Sequence, residues 1–281
     1  MTEPRGLWAR VETLHAVTYF SEESRAAARD CGLRGFWMGY FGFRAAPLGA
    51  VGADDVVDAF FGFAPAMVRR SIPDAWAYAS PEVLLDARAA AAAAALRAHC
   101  PGIDGVAERV NGPLTAALVG RDDEPGAPLF SANLRLALPD DPVARLWQIC
   151  TTVREHRGDH HVAAWRASGM RPLDVLALFV ADSGIPRATL ADYRGWTDDE
   201  WSDAATRLRE RALADDDGGV TDAGRDLRAR VEAATDAATA DLLGTIDDGT
   251  VAALGDAAAA VAASGVLPYP NPIGLPRVNG D

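Results

Sequence analysis

Residues 197–225 read TDDEWSDAATRLRERALADDDGGVTDAGR, and this stretch indicates the fold most clearly. Thr197 is a favourable helix N-cap, and Glu200 completes a capping box with it, so a helix is expected over 198–213. The acidic, glycine-rich turn 214–224 suits a hairpin, and the residues after it have the apolar spacing of another helix. The stretch therefore predicts a helix, a hairpin and a second helix.

Two more helices are expected before this stretch. The apolar spacing predicts one through 172–182 and a short one around 187–193. Helix, short helix, long helix, hairpin and helix is the order of elements in a winged helix. Elsewhere in the chain, apolar residues also recur three and four positions apart, and strict alternation is almost absent. The fold class is therefore predicted to be mainly α, with long helices and a small β wing.

A weak internal repeat relates the first part of the chain to the second. Three local matches carry it: 31–34 with 168–171, 61–65 with 194–198, and 80–88 with 220–228. The matches occur in the same order with small shifts between them, which favours a duplication; chance similarity between alanine-rich helices is the alternative. A duplication predicts two pseudo-symmetric winged-helix-like halves, and the interface between such halves is a natural place for a cleft.

Changes in composition predict the limits of these halves. A turn-rich stretch separates them, and a tail with several prolines ends the sequence. The predicted segments are an N-terminal half over 1–118, a connection over 119–142, a C-terminal half over 143–265 and a proline-rich tail over 266–281. The tail is expected to be an extended arm, either packed on the surface or disordered.

The chain is acidic, since its 281 residues include 27 basic and 40 acidic side chains, a formal charge of 27 − 40 = −13. All of the basic residues are arginine. Because nonspecific affinity for nucleic acid depends mainly on positive charge facing phosphate, general adhesion to nucleic acid is not expected. The hydrophobic fraction of 49% is typical of a soluble globular protein.

Cysteine usage and hydropathy predict the compartment. The three cysteines lie far apart without CxxC spacing, so neither a disulfide framework nor a thiolate zinc site is expected. No apolar run approaches about 18 residues, and the N-terminal stretch lacks the pattern of a cleavable signal. We therefore expect a cytoplasmic protein without a membrane span.

Several motifs resemble those of known families. The segments TRLRERAL (206–213) and DDGGVTDAGR (216–225) are similar to the recognition helix, wing and exit of MarR-type regulators. The chain as a whole resembles an actinobacterial family of SalK-like helix-turn-helix proteins, through the motifs LHAVTYF (14–20), GLRGFWMGYF (32–41), RAAPLG (44–49), HRGDHHVAA (156–164) and RGWT (194–197). The resemblance covers nearly the full length. It implies the fold and leaves the biochemical role open.

The helix expected over 198–213 is poorly suited to DNA. The segment 197–214 contains three arginines, at 207, 209 and 211, against five carboxylates, at 198, 199, 200, 203 and 210, so its charge is 3 − 5 = −2. The turn adds three more aspartates at 215–217. Carboxylates that face phosphate groups are repelled. We therefore do not expect nucleic acid as a partner, and a ligand-responsive MarR-like regulator is kept as the alternative.

Two groups of residues in the first half are candidates for binding a ligand. His15 and Tyr19 lie four residues apart and so on one helix face. A histidine among apolar residues is usually a satisfied interior residue; the functional alternatives are a ligand contact, a haem or metal ligand, or a general base. Trp37, Tyr40 and Arg44 share a stripe that suits an apolar ligand with a carboxylate or phenolate. Core packing is the alternative for this stripe.

A third group lies in HRGDHH. Asp159 is expected to cap a new helix, at whose start Arg157, Asp159 and His161 could bind an anionic group. A capped turn that ties the two halves together is the alternative. His156 and His160 are four residues apart, but a glycine and the predicted cap are expected to interrupt the helix between them. No shared metal is therefore predicted.

The functional hypotheses remain three. The motifs of nucleotide-binding folds, serine hydrolases and zincins are missing. We favour a protein that binds a small apolar or amphipathic molecule in an aromatic cleft, with a link to specialised metabolism as one interpretation. A DNA-binding regulator is the second hypothesis, and an enzyme using His15 or His161 as acid, base, or haem or metal ligand is the third. The cofactor, if any, is unknown, and the chain is expected to be a monomer or a homodimer.

Overall fold

The computed structural model describes residues 4–278. Within this range the chain forms fifteen α-helices. They are α1 Pro4–His15, α2 Val17–Phe20, α3 Glu22–Asp30, α4 Gly35–Ala45, α5 Ala53–Phe60, α6 Pro65–Arg69, α7 Pro81–His99, α8 Ile103–Leu118, α9 Pro128–Leu134, α10 Pro142–Ala167, α11 Pro172–Ser183, α12 Ala188–Arg194, α13 Asp198–Glu210, α14 Asp222–Leu243 and α15 Asp248–Ala263. The predicted mainly α fold class is confirmed. Among these residues, no helix is both long and apolar enough to cross a membrane.

The local signals around α13 act as expected. The Thr197 hydroxyl accepts a hydrogen bond from the Glu200 backbone N–H at 3.3 Å, and the Glu200 carboxylate accepts one from the Thr197 backbone N–H at 2.8 Å. The predicted capping box is confirmed. The helices expected before it are also present, as α11 and α12.

The predicted β wing is not formed as a sheet. Between α13 and α14 the described backbone has one antiparallel bridge, from Ala214 to Val220. The Asp215 carboxylate explains why, because it accepts a hydrogen bond from the Gly219 N–H at 2.7 Å and closes the turn. The side chain supplies the bonding that a second pair of strand residues would otherwise make. The wing is therefore a short capped turn.

The expectation of a break near Asp159 is wrong. The helix α10 runs through 26 residues without interruption. Asp159 is buried within it, and its carboxylate accepts a hydrogen bond from the Phe130 N–H at the start of α9, at 2.8 Å. Gly158 continues the helix, since one glycine costs only about 1 kcal/mol and α10 packs against α1, α7, α8, α9 and α14. Tertiary packing thus outweighs two local signals for a helix end.

Three hydrophobic clusters form the core of the described residues. The first joins α1 with α7, α8, α10 and α15. The second lies among α3 to α7, and the third among the end of α10, α11, α13 and α14. The first cluster therefore combines helices from both predicted halves, and the predicted connection contains α9. The segment limits stay a prediction, and residues 1–3 and 279–281 of the outer segments lie outside the described residues.

The order of elements parallels the sequence repeat. The helices α4, α5, α6 and α7 correspond in order to α11, α12, α13 and α14. Gly32 and Gly169, which the repeat aligns with each other, both have positive φ angles, 79° and 71°. The copies differ at one place, because α6 has 5 residues where α13 has 13. A pseudo-twofold relation between the halves stays a prediction.

The proline-rich tail lies against the first cluster. Leu267 and Leu275 are buried there. The Asn271 side chain holds the turn between them, since it donates to the Leu275 carbonyl and accepts from the Leu275 N–H, both at 2.9 Å. The described part of the tail is therefore a packed arm.

The continuity of α10 can be tested at Gly158. A Cβ added there would meet the Glu155 carboxylate at 3.6 Å, an ordinary contact. We expect Gly158→Ala to raise the free energy of unfolding by roughly 0.5–1 kcal/mol, and Gly158→Pro to lower it by about 3 kcal/mol or more. Urea unfolding followed by circular dichroism measures both. A destabilising alanine together with a tolerated proline would indicate that the helix ends at this point.

Candidate ligand-binding site

A cavity of about 680 Å³ opens between the first four helices, α7 and α10. This volume lies within the range of small-molecule pockets. Seven aromatic side chains line it: Tyr19, Phe20, Phe36, Tyr40, Phe43, Trp147 and Tyr193. Phe36 and Tyr193 are exposed at the mouth, whereas Phe43 and Trp147 are buried. The cavity is therefore mainly apolar, with a few polar groups at its inner end.

The close approach of α3 and α4 shapes one wall. Gly39 lines the cavity, and a Cβ at this position would lie 2.9 Å from the Ala28 Cβ. Real Cβ atoms do not approach so closely, so a larger residue would push the two helices apart. Glycine at 39 thus sets the width of the site.

A chain of hydrogen bonds orders the protons at the inner end of the cavity. The Thr151 hydroxyl donates to the Trp147 carbonyl at 2.8 Å, so its oxygen must accept from His15 Nδ1 at 2.8 Å. His15 Nε2 then lacks a proton and accepts from the Tyr19 hydroxyl, also at 2.8 Å. The Tyr19 oxygen is left as an acceptor. A ligand can therefore donate a hydrogen bond to Tyr19.

His15 is held neutral. Burial lowers its pKa well below the ordinary value, and the guanidinium groups of Arg154, Arg44 and Arg88 lower it further. Burial likewise raises the pKa of Tyr19. Both shifts keep the proton on the phenol, so the pair serves to orient hydrogen bonds.

Charged side chains on α1, α4 and α10 form a closed network beside the cavity. Arg44 contacts Glu155 at 3.3 Å and donates to the Tyr40 hydroxyl at 3.2 Å. Arg154 contacts Glu155 at 2.8 Å and Glu12 at 2.8 Å. Burial would raise the pKa of Glu155, but the two guanidinium groups outweigh it and lower this pKa. Two arginines and two glutamates thus balance each other.

Arg88 is buried on the cavity wall without a carboxylate partner. Its guanidinium donates to three neutral acceptors, the Phe43 carbonyl at 2.9 Å and the side-chain oxygens of Asn133 and Gln148 at 3.0 Å each. Within residues 4–278 it forms no ion pair, and its Nε has no hydrogen-bond partner. The side chain is 3% exposed. Burial lowers the pKa of Arg88 to about 10, which still leaves it charged at neutral pH.

The structure brings together four of the residues proposed from the sequence. His15, Tyr19, Tyr40 and Arg44 all line the cavity. Trp37 lies on the same helix stripe as Tyr40, yet it is not part of the cavity wall and packs among the aromatic rings of the second cluster. Of the predicted aromatic stripe, only Tyr40 and Arg44 reach the cavity.

The other three proposed residues do not share one face of α10: Arg157 and His161 face α14, whereas Asp159 faces α9. Because α10 is continuous, residues two positions apart are separated by about 200° around the helix axis. Arg157 contacts Glu232 at 2.9 Å on α14, and His161 Nδ1 lies 3.2 Å from the Thr235 hydroxyl. Asp159 faces α9, where burial raises its pKa to about 7. The structure thus places no common anion site among these three residues.

Neither proposed histidine has a free ring nitrogen. His161 repeats the arrangement of His15, since its Nε2 accepts from the Trp165 indole N–H at 2.9 Å and its Nδ1 faces a threonine hydroxyl that donates to the helix backbone. Binding haem or a metal through either ring would break one of these hydrogen bonds. The rings are fixed by packing and hydrogen bonds in their neutral form.

Sequence reasoning missed several residues of the site. Trp147, Thr151 and Glu155 recur every four positions on α10, a stripe that periodicity could have found. Arg88 precedes seven consecutive alanines, and a charge that enters so apolar a helix is a signal of burial. Their meeting in one cavity depends on tertiary packing, which a single sequence does not show.

Helices α11 and α13 pack against each other in the third cluster, around Trp201, Leu208 and Leu178. A family model described as a helix-turn-helix family matches residues 4–268. The chain belongs to this family. It matches no functionally curated protein and no solved structure.

The arginines of α13 in this helix-turn-helix protein are mostly engaged. Arg207 contacts the buried Asp174 at 2.5 Å. Arg211, just after the helix, donates to the carbonyls of Ser168 and Gly169 at 3.2 and 3.3 Å. Arg209 donates only to the Thr206 hydroxyl among the residues described. One guanidinium is therefore available on this surface, whereas carboxylates at 199, 203 and 210 are exposed.

The burial of His15 predicts a dependence of stability on pH. Below about pH 6.5, the ordinary pKa of histidine, the unfolded chain takes up a proton that folded His15 does not, so the free energy of unfolding falls as the pH falls. One such group contributes a slope of at most about 1.4 kcal/mol per pH unit. Urea unfolding between pH 7 and 5 should show a smaller slope in His15→Gln than in the unmodified protein.

His99→Gln is the matched control, because His99 is partly exposed at the end of α7, away from the cavity. It removes the same type of side chain without changing the cavity, so a decrease in slope confined to His15→Gln would come from the buried ring. Equal slopes in His15→Gln and the unmodified protein would show that folded His15 titrates freely.

Proposed function

We propose that this helix-turn-helix family protein binds a small amphipathic organic anion in the cavity. One observation carries the proposal: Arg88 is a buried, charged and unpaired guanidinium on the wall of an aromatic cavity. A buried charge without a counter-ion is costly unless a partner arrives. A carboxylate or phenolate that reaches Arg88 would supply one through charge-assisted hydrogen bonds.

The neighbouring charges support this assignment. Arg44, which the sequence suggested as the anion-binding residue, is already neutralised by Glu155. The network of Arg44, Arg154, Glu12 and Glu155 adds no net charge, since two positive and two negative groups cancel. Of Arg44 and Arg88 on the inner cavity wall, only Arg88 lacks a carboxylate partner within the described residues, so it is the group proposed to bind the anion.

The other groups that line the cavity indicate what the ligand carries besides its anionic group. The Tyr19 oxygen accepts one hydrogen bond, so a hydroxyl or amine on the ligand fits there. The rings of Phe36, Tyr40 and Phe43 offer faces and edges to an apolar or aromatic body. The ligand class is therefore an aromatic or otherwise apolar acid with a hydrogen-bond donor.

The finer fold assignment is part of the proposal. We infer a winged-helix origin from the order α11, α12, α13, turn and α14, together with the resemblance of 206–225 to MarR-type regulators. The SalK-like motifs support a role in specialised metabolism. Since fold alone does not determine function, we use the charge of α13 to choose between packing and DNA binding. It favours a scaffold that supports the ligand site.

A ligand-responsive DNA-binding regulator is the second candidate, favoured by the family itself. It requires an exposed basic surface, and α13 with its capped turn offers Arg209 surrounded by carboxylates. The two candidates share the cavity and differ only in whether α13 contacts DNA.

A matched pair of probes tests the anion site. We expect 2-naphthoate to bind the purified protein more tightly than its uncharged amide. Arg88→Gln should weaken 2-naphthoate binding by roughly 10- to 100-fold, the loss expected for hydrogen bonds to a charged group, and change amide binding much less. Isothermal titration calorimetry measures both affinities.

Arg209→Gln on α13 is the control, since it removes a guanidinium far from the cavity. Tyr19→Phe is a second variant that keeps the packing, and it should abolish any preference for 3-hydroxy-2-naphthoate over 2-naphthoate. Equal binding of the acid and the amide, unchanged in Arg88→Gln, would contradict the proposal. Native mass spectrometry of protein purified from its own host would then identify the natural ligand.

The DNA hypothesis has its own test. A fluorescently labelled random duplex, titrated at low salt, should show no saturable binding in the range of about 10⁻⁴–10⁻⁶ M that is typical of nonspecific DNA binding. Fluorescence anisotropy provides the measurement. Binding that weakens with salt and is lost in Arg209→Gln would favour the regulator instead.

A further inference from the structure

A second group of ligating side chains lies outside the cavity, where the segment before α9 crosses α10. Glu124 comes from this segment, and His156 and His160 come from successive turns of α10. The ligand atoms of the three residues all lie within 4.8 Å of one another. Glu124 Oε2 is 3.3 Å from His156 Nε2 and 2.9 Å from His160 Nε2.

These separations match those around a tetrahedral metal ion. Zinc binds histidine nitrogen and carboxylate oxygen at about 2.0–2.2 Å, so two of its ligand atoms lie roughly 3.3 Å apart. Two histidines and one carboxylate form a ligand set typical of zinc and of other divalent transition metals. The three side chains therefore converge at the spacing that such an ion requires.

The position of Glu124 is fixed by its surroundings. The Ser131 hydroxyl accepts a hydrogen bond from the Glu124 N–H at 3.0 Å. The start of α9 is in turn tied to α10 through the Phe130 N–H and the Asp159 carboxylate. The continuous α10 holds both histidines on one face. The carboxylate is thus held over the histidine pair by backbone contacts.

The local charge is compatible with a cation. Arg121 is neutralised by Asp241 at 3.1 Å, and Arg135 forms an ion pair with Asp123. Neither guanidinium therefore competes for Glu124.

We propose that Glu124, His156 and His160 bind one divalent transition-metal cation, with zinc as its representative. His156 is buried, while the side chains of His160 and Glu124 are 25% and 30% exposed, so the ion could be reached from solvent. A fourth coordination position would be left for water. The site is independent of the cavity and uses none of its residues.

Cobalt(II) provides the test, because a tetrahedral cobalt site with nitrogen and oxygen ligands absorbs visible light far more strongly than the hydrated ion. We expect metal-free full-length protein to bind one equivalent of Co²⁺ with this spectrum, and Zn²⁺ to displace it. His160→Gln and Glu124→Gln should each weaken binding by about 100-fold or more, at least the effect of losing an outer-shell contact in metal sites.

His99→Gln is the matched control, since it removes a histidine far from Glu124 and should leave the titration unchanged. Circular dichroism verifies that each variant is folded, and the two substitutions on different elements provide the result even if one of them fails to fold. The alternative is a metal-free cluster in which both rings donate to the Glu124 carboxylate. The absence of a tetrahedral spectrum, or equal affinities in all the variants, would establish that cluster and overturn the proposal.

Discussion

The buried carboxylate of Glu155 is the constraint on which the architecture depends. An ionised group inside a protein needs opposite charge close by, and Glu155 obtains it from Arg44 on α4 and Arg154 on α10. Arg154 also reaches Glu12 on α1. These contacts fix three helices in relation to one another, and the cavity lies where they meet. Removing one partner of a buried pair lowers the free energy of unfolding by about 3–5 kcal/mol. Loss of one charged residue of the network would therefore also disturb the cavity.

The partners of the arginines in and just after α13 bear on the DNA binding that the family name suggests. Members of a helix-turn-helix family are expected to present basic side chains to DNA. In this chain Arg207 is directed inwards to Asp174, and Arg211 is bound to backbone carbonyls. Arg207 and Arg211 therefore stabilise the packing around α13, whereas Arg209 stays exposed. Two of the three cations in and just after α13 are thus used within the fold.

Local features of the fold could be predicted from the sequence. The capping box at Thr197 and the helices α11 and α12 depend on nearby residues, and all three predictions are confirmed. The break expected at Asp159 failed because its carboxylate is used by a distant helix, α9, through Phe130. Capping signals describe what a residue can do locally, and burial decides what it does.

In the candidate sites, too, local spacing was predictable from the sequence and long-range contacts were not. The spacing of His15 and Tyr19 was visible in the sequence, as was the spacing of His156 and His160. The groups that complete each site were not, since Arg88 and Glu124 are separated from those residues by dozens of positions. Long-range partners of this kind require the folded chain.

The use of arginine alone as the basic residue has a consequence for how the cavity behaves when empty. A buried lysine without a counter-ion could become neutral by releasing a proton, whereas a guanidinium stays charged. The charge of Arg88 therefore always lowers the stability of the protein without an anion. An anion that pairs with Arg88 would bind the native state and not the unfolded chain, so occupancy and thermal stability would be thermodynamically linked. If the proposed site binds such an anion in the cell, the abundance of the protein would follow the concentration of that anion.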